Sequence, residues 1–306
     1  MRILVLGAGA VGGYFGGRLV EKGEDVTFLV RERRQKQLTE HGLAIDSLHG
    51  DYFFQPKTIL AGEKVEPYDL ILFATKSYHV QSAMDSIKPY IGEKTVILPL
   101  LNGFKHFDLL KETFGAEKIL GGLCFVESTL NDRGEVIQTS QIHQLSFGEF
   151  NGGTSARVEA IEEAFSNTKA TFKLSENILQ DIWHKYLFIT TLSGSTTLMR
   201  SAIGPIRQAP HGKEILAQLI NETASIIRAS GAQIAEDIER KQLETIMKQA
   251  ETLKASMLRD IEKSAPIEVD HIQGYLLQLA DQHNIQAPLL TLIYHNLKVY
   301  ELNNLR

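Results

Sequence analysis

The sequence has almost no cysteine, no long apolar run and no excess of basic residues, and each absence excludes a class of protein. Cys124 is the single cysteine, which excludes an internal disulfide and a cysteine-based zinc or iron–sulfur site. No stretch reaches the ~18 consecutive apolar residues of a membrane-spanning helix. With 32 Lys and Arg against 37 Asp and Glu, the net charge of −5 excludes nucleic-acid binding by bulk positive charge. We expect a cytoplasmic protein with neither membrane nor nucleic-acid partners.

The chain does have enough apolar residues for two hydrophobic cores. Its 306 residues, 43% of them hydrophobic, suffice for two domains of ~150 residues each. The first part alternates short apolar runs with helical or loop segments, which is typical of βαβ units. These runs are Ile3–Leu6, Val26–Val30, Leu70–Ala74 and Thr95–Leu98. From Ser175 onward helical periodicity dominates, with one long helix predicted over about Ile234–Lys263. We therefore predict an α/β fold, with a doubly wound parallel sheet in residues 1–174 and an all-helical domain in residues 175–306.

A glycine-rich motif follows the first apolar run and matches the pattern G-x-G-x-x-G. A predicted strand precedes it, a predicted helix follows it, and a second strand comes within about 30 residues, which is the context that dinucleotide binding requires. In such a loop the first glycine permits a tight turn, the second lets the backbone approach a pyrophosphate, and the third allows close helix–strand packing. The alternative is a purely structural turn. The predicted cofactor contacts are Gly7, Ala8, Gly9, Ala10, Val11 and Gly12.

The residue after the second strand indicates which dinucleotide binds. Proteins selective for NAD carry an acidic residue there to hold the ribose 2′-hydroxyl. Here Arg31 takes that place, and its guanidinium suits a 2′-phosphate. Arg33 and Arg34 fit a solvated charge run equally well, and Glu32 weakens the pattern. We predict NADP(H) rather than NAD(H), mainly from Arg31.

Two polar residues follow the third and fourth predicted strands. Lys76 and Asn102 lie beyond the carboxyl ends of these strands, where doubly wound sheets bind their ligands. The alternatives are a solvated loop lysine for Lys76 and an ordinary Asn-Gly turn for Asn102.

A lysine interrupts the apolar face of the first helix of the second half. Lys185 shares that face with Ile182 and Ile189, and a buried lysine is costly unless it is paired or used. Desolvation lowers the pKa of a lysine, which favours a role as general acid. The alternative is a surface ion pair between Asp181 and Lys185. The histidines show no metal-ligand spacing, so we predict no metal site.

Taken in order along the chain, these motifs resemble the ketopantoate reductase (2-dehydropantoate 2-reductase) family over essentially the whole sequence. The motifs are the Gly7–Gly12 loop, Arg31, Ala74-Thr75-Lys76-Ser77, Asn102-Gly103, Trp183-x-Lys185, Ser256-Met257-Leu258 and Glu268 within residues 267–274. The resemblance implies a Rossmann domain joined to a helical domain. It also implies NADPH-dependent reduction of ketopantoate, a small 2-oxo acid, to pantoate in pantothenate and coenzyme A biosynthesis.

The resemblance assigns a role to each matching residue. It implies that Lys185 gives a proton to the ketone oxygen and contacts the substrate, and that Asn102 touches both cofactor and substrate. Ser256 matches a substrate contact. Lys76, Arg31 and Glu268 match cofactor contacts. On sequence position alone, Ser256 and Glu268 would be interpreted as surface polar residues.

Three positions depart from the family pattern. The family presents asparagines four and eight residues after the catalytic lysine, whereas this chain has Ile189 and Ser193, and Leu101 replaces a glutamine. We therefore keep Ser193 as a candidate substrate contact. The departures leave open a paralogous reductase of another 2-oxo acid or ketone, and a non-enzymatic NADP(H) sensor is the alternative from another class. The apolar C-terminal helices fit either a core or a homodimer interface.

Overall fold

The computed structural model of the chain describes residues 1–304. They divide into two compact units. The first unit comprises Met1–Leu101 and His106–Ile178, and the second comprises Asn102–Lys105 and the chain from Leu179 onward. The short segment Asn102–Lys105 therefore groups with the second unit, although it follows a strand of the first.

The strands of the first unit form two sheets, one parallel and one mixed. Its strands are β1 (Arg2–Leu6), β2 (Asp25–Leu29), β3 (Leu43–Ser47), β4 (Tyr52–Phe54), β5 (Lys57–Ile59), β6 (Tyr68–Phe73), β7 (Ile91–Pro99), β8 (Gly121–Leu130), β9 (Val136–Gly148) and β10 (Thr171–Leu174). The first sheet has the order β5-β2-β1-β6-β7, and all of its pairings are parallel. The second has the order β10-β9-β3-β4, with β8 pairing antiparallel to β9.

Helices cover the parallel sheet and make up the second unit. They are α1 (Ala10–Lys22), α2 (Glu32–His41), α3 (Val80–Ile87), α4 (Lys105–Phe114), α5 (Ala156–Phe165), α6 (Ile178–Met199), α7 (Ile203–Gln208), α8 (Gly212–Ala229), α9 (Ile238–Lys248), α10 (Ser256–Glu262), α11 (Tyr275–His283) and α12 (Pro288–Asn304). A π-helical turn, Asp270–Gly274, leads into α11. The predicted α/β fold with a helical C-terminal part is confirmed. Within residues 1–304, no helix combines the length and the apolar character needed to cross a membrane.

The central strands of the parallel sheet are buried because both of their faces are covered. Ile3, Leu4 and Val5 are fully buried in β1, as the continuous apolar run predicts. Helix α1 packs directly on this sheet. A Cβ on Gly16 would come within 2.9 Å of the side chains of Val5 and Phe28, so glycine permits the close approach.

The single helix predicted over Ile234–Lys263 is wrong, because the chain breaks between α9 and α10. The Arg207 guanidinium binds the carbonyls of Ile246, Met247 and Gln249 (3.1, 2.6 and 2.8 Å). The N–H group of Gly204 donates to the Glu251 carbonyl at 2.9 Å. These tertiary bonds take the carbonyls that a continuous helix would use, and they outweigh local helix propensity.

Candidate active site

The glycine-rich loop joins β1 to α1 and leaves space at the helix N-terminus. Gly7 has a φ of +97°, and its N–H donates to the Leu29 carbonyl at 3.1 Å. A Cβ on Gly12 would lie 2.1 Å from the Gly7 carbonyl oxygen, so the helix meets the loop only because that side chain is missing. A Cβ on Gly9 would meet nothing within 4 Å. The loop is therefore tightly packed at Gly7 and Gly12 and open at Gly9, beside N–H groups suited to a phosphate.

The other residues of the loop differ in exposure. Ala8 is buried, whereas Ala10 and Val11 begin α1 and are half-buried. The N-terminus of α1 is therefore partly exposed at Ala10 and Val11, while the Ala8 side chain packs inside.

Basic residues lie along the same edge of the parallel sheet. Arg31 is exposed at the start of α2, and Lys76 is half-buried immediately before a short 3₁₀ helix, Ser77–His79. Burial, followed by the positive charge of Arg31, lowers the pKa of His79, so these two side chains are close enough to interact. Because β2, β1 and β6 are neighbours in the sheet, the structure brings Arg31, the glycine loop and Lys76 to one edge.

Arg34 contacts the protein itself. Its Nε and Nη2 donate to the Ala8 carbonyl at 3.1 and 2.9 Å. Burial lowers the pKa of this guanidinium, which still remains protonated at neutral pH. The interpretation of Arg34 as part of a solvated charge run is therefore wrong, whereas Arg33 is exposed as that interpretation requires.

In the second unit, the Asn102–Lys105 segment packs on the π-helical turn and on α6. A hydrogen bond joins the Asn102 backbone to the His271 ring, and a Cβ on Gly103 would lie 2.9 Å from His271 Cδ2. Phe104 stacks on Trp183 with ring centroids 4.2 Å apart. Asn102 is thus held by backbone and aromatic contacts and does not lie in a free turn.

The His271 ring lies at the centre of this arrangement. Burial lowers its pKa to about 4, with Lys105 acting in the same direction, while Glu268 and the Asn102 backbone oppose the change. Glu268 is itself only 8% exposed, so the interpretation of Glu268 as a surface residue is wrong. Asn102 and Glu268, 166 positions apart in the sequence, both act on this one ring.

Lys185 lies in the middle of α6 and is only 7% exposed. Its neighbour Tyr186 donates a 2.5 Å hydrogen bond to the Ile272 carbonyl, which fixes α6 against the π-helical turn. The flanking Ile182 is buried as well. Lys185 therefore lies in the core face of α6 and not on the surface that the alternative of a surface ion pair requires.

The two candidate serines differ in their surroundings. Ser193 is 2% exposed, and its Oγ accepts a 3.0 Å hydrogen bond from Nε2 of Gln273. Ser256 is the first residue of α10 and is exposed. Position 193 is therefore already paired within the protein, and position 256 faces solvent.

Sequence reasoning missed Arg34, His271 and Gln273. Arg34 stands three residues after Arg31, one helical turn further, and that spacing was the only available signal. His271 and Gln273 belong to the 267–274 run, in which only Glu268 was given a role. Among residues 1–304, no group of three His, Cys, Asp or Glu side chains is arranged to hold a metal ion.

Comparison with known proteins places both halves of the chain in one family. The family described as Ketopantoate reductase PanE/ApbA matches residues 3–152, and its C-terminal counterpart, Ketopantoate reductase PanE/ApbA C terminal, matches residues 177–301. An uncharacterized oxidoreductase of Bacillus subtilis (strain 168), YkpB, is 43% identical over 301 residues, covering 98% of this chain and 99% of the relative.

Two proteins with a named activity are also similar to this chain, at lower identity. The 2-dehydropantoate 2-reductase of Pyrococcus horikoshii is 29% identical over 304 residues, with 98% of each chain covered. The crystal structure of 2-dehydropantoate 2-reductase from Geobacter metallireducens GS-15 is similar with a TM-score of 0.89 at 27% identity, covering 97% of this chain and 99% of that one. The chain therefore belongs to the ketopantoate reductase family and is an oxidoreductase that uses a nicotinamide cofactor.

Proposed function

We propose that the protein reduces 2-dehydropantoate to pantoate with NADPH, with Lys185 as the proton donor. The observation that carries this proposal is the burial of Lys185, at 7% exposure, in a chain that also has an open dinucleotide loop. We also propose that residues 1–174 bind NADP(H) and that residues 175–306 supply the substrate site.

The residues of the first unit fit the proposed cofactor. The gap beside Gly9 admits a diphosphate at the N-terminus of α1, where N–H groups and the helix dipole favour negative charge. Arg31 is exposed and can meet a 2′-phosphate, and Lys76 is on the same sheet edge. The absence of a carboxylate at position 31 favours NADP(H) over NAD(H).

The chemistry assigned to Lys185 follows from its charge and burial. When bound, NADPH supplies the hydride for the carbonyl carbon of the substrate. The Lys185 ammonium polarises the ketone oxygen and transfers a proton from Nζ to it as the C=O π bond breaks. The product is a 2-hydroxy acid, and the lysine regains its proton from solvent. In the roles proposed here, Asn102 and Glu268 orient the substrate and cofactor around this lysine.

A paralogous reductase of another 2-oxo acid is the second candidate. Ile189 offers no hydrogen bond, and the Ser193 oxygen accepts one from Gln273, so these two positions offer fewer polar groups than the two amides of the family pattern. A site that lacks a polar partner rejects a substrate that needs one by a large factor. The relative with 43% identity is itself an oxidoreductase of unassigned substrate, which supports a separate branch within the family. A cofactor sensor would have no use for the buried Lys185 and Glu268.

The test is NADPH oxidation by the wild type with ketopantoate and then with a panel of other 2-oxo acids. We expect turnover with ketopantoate, and we expect Lys185→Ala to lower kcat by roughly 10²- to 10⁴-fold with little change in NADPH affinity. The exposed Lys241, which pairs with Asp237, provides the control Lys241→Ala. Unchanged turnover in Lys185→Ala would overturn the assignment of the proton donor.

The panel separates the other candidates. Turnover with a different 2-oxo acid, and none with ketopantoate, would select the paralogue. NADPH binding without oxidation of any substrate would select the sensor.

A further inference from the structure

The Arg34 guanidinium bridges the glycine loop to a distant hairpin turn. Two of its N–H groups donate to the Ala8 carbonyl, and Nη2 also donates to the Gly134 carbonyl at 2.9 Å. Its Nη1 donates to Gln37 Oε1 at 2.6 Å, and Gln37 in turn donates to the Arg133 carbonyl at 2.8 Å. Nearly all N–H donors of the Arg34 guanidinium thus bind uncharged oxygens of the backbone or of a side-chain amide.

The hairpin turn is shaped to accept this guanidinium. Gly134 has a φ of +80°, and a Cβ there would come within 2.3 Å of Arg34 Nη1. The turn between β8 and β9 therefore leaves room for the arginine and supplies a fixed carbonyl on the far side. Arg34 is held from two sides and is a rigid support for whatever it binds.

The bonds to Ala8 determine the direction of the next N–H group. The peptide bonds of the described residues are trans, and in a planar trans peptide the carbonyl of one residue and the N–H of the next point in opposite directions. With the Ala8 carbonyl turned toward Arg34, the Gly9 N–H is turned away from it. A Cβ added to Gly9 would meet no protein atom within 4 Å, so the space beside this residue is open.

We propose that Arg34 is a positioning residue for the cofactor: it holds the Ala8–Gly9 peptide so that the Gly9 N–H is presented to the diphosphate. This inference rests on the proposed function, in which the loop binds NADP(H). The proposal gives the basic residues at the start of α2 two different roles. Arg31 recognises the 2′-phosphate that distinguishes NADPH from NADH, and Arg34 organises the loop that both nucleotides need.

Arginine is required for this role because of its geometry. A guanidinium places Nε and Nη2 on one carbonyl while Nη2 also reaches another, whereas a lysine ammonium is a single point on a flexible stem. Lys at position 34 would keep the charge and lose the two-sided attachment. The conservative variant therefore distinguishes positioning from simple attraction between charges.

The experiment measures Kd for NADPH and for NADH by calorimetry in the full chain, with a thermal melt of each free variant. We expect Arg34→Ala to raise both Kd values by the same factor, roughly 10- to 100-fold, because a charge-assisted bond to the diphosphate is misdirected. Arg34→Lys should recover less than half of that loss on a logarithmic scale. kcat at saturating NADPH should stay within about threefold of wild type, since the proton donor is untouched.

Three controls belong to the same region of the chain. Lys36→Ala removes an equal charge from an exposed position of α2 and should change either Kd by about twofold or less. Gln37→Ala releases the Arg133 carbonyl but keeps the Ala8 contact, and should also leave Kd nearly unchanged. Arg31→Ala should weaken NADPH and leave NADH almost unaffected.

Several outcomes would overturn the proposal. Folded Arg34→Ala with wild-type Kd values would do so, as would full recovery by Arg34→Lys. A loss confined to NADPH would mean that Arg34 meets the 2′-phosphate itself. If Arg31→Ala does not change the discrimination between the nucleotides, the proposed NADPH preference fails while the role of Arg34 stands. A wild type that binds neither nucleotide would refute both.

Discussion

Two alanine substitutions in one glycine loop should have opposite consequences. At Gly12 the added Cβ would be 2.1 Å from the Gly7 carbonyl oxygen and 3.1 Å from Val5 Cγ1. At Gly9 the added Cβ meets nothing within 4 Å. We therefore expect Gly12→Ala to destabilise the first unit, and Gly9→Ala to spare the fold and lose cofactor affinity.

The magnitudes follow from these distances. A carbon 2.1 Å from a backbone oxygen forces the helix or the loop to shift, and overpacking of this kind costs roughly 1–3 kcal/mol. In a domain of this size, each kcal/mol lowers Tm by roughly 2–4 °C. Gly9 is the N-cap of α1, where exchanging glycine for alanine costs under ~1 kcal/mol. Displacing one hydrogen bond to a charged diphosphate costs about 1.5–3 kcal/mol, or roughly a 10- to 150-fold rise in Kd.

The assay is a thermal melt of each variant with and without NADPH, together with calorimetric Kd values. Gly12→Ala should melt at a lower temperature than wild type, whereas Gly9→Ala should melt near wild type and gain little from NADPH. Wild-type NADPH affinity in Gly9→Ala would refute the assignment of the loop to the diphosphate. An unchanged melting temperature in Gly12→Ala would refute the packing argument.

Two further predictions concern stability. Glu222 of α8 accepts a 2.9 Å hydrogen bond from the N–H of Leu290 in the first turn of α12. Glu222→Gln should therefore lower the free energy of unfolding by roughly 1–3 kcal/mol in urea titrations. The control Glu214→Gln, at an exposed position of α8, should change it much less. Burial, and next the neighbouring His49, lowers the pKa of His143 from 6.5 to about 4. The folded chain therefore binds a proton at His143 less readily than the unfolded chain does. As a result, the folded state loses stability as the pH falls from 6.5 toward 4. His143→Gln should remove about 2 kcal/mol of the loss between neutral pH and pH ~5 in denaturation curves, and an unchanged pH dependence would contradict this reasoning.

The parts of the site that the sequence predicts are those set by local chemistry. The strand, glycine turn and helix around Gly7 and Gly12 require particular residue types at fixed spacing, so the pattern identifies them without knowledge of the rest of the chain. The burial of Lys185 follows in the same way from the apolar residues one and two turns away on its helix.

The parts that sequence reasoning missed depend on contacts between distant segments. Arginine is a residue type that usually lies at the surface, so the sequence gives no sign that Arg34 is held inside the protein. The positioning role that we propose for it depends on the carbonyl of Gly134, 100 positions further along the chain. Asn102 follows a strand of the first unit, yet its segment groups with the second unit through His271 and the stacking of Phe104. No periodicity or propensity in a single sequence encodes such pairings, because the partners are brought together only by the completed fold.

Substrate identity is the hardest property to infer, for a reason visible at position 193. The family pattern places an amide on this helix, and the chain instead has a serine whose hydroxyl accepts from the amide of Gln273, a residue of the π-helical turn. Position 193 is thus polar, but its oxygen already accepts a hydrogen bond within the protein, so it offers a substrate less than the amide of the family pattern, while Ile189 adds only apolar surface. The proton transfer that we propose for Lys185 requires only the lysine ammonium and a ketone oxygen, which every 2-oxo acid offers. Discrimination among those acids depends instead on which polar atoms remain unpaired, because a missing partner costs more than an extra methylene. The reaction type therefore follows from residues that the family pattern fixes, and the substrate depends on the positions at which this chain departs from that pattern.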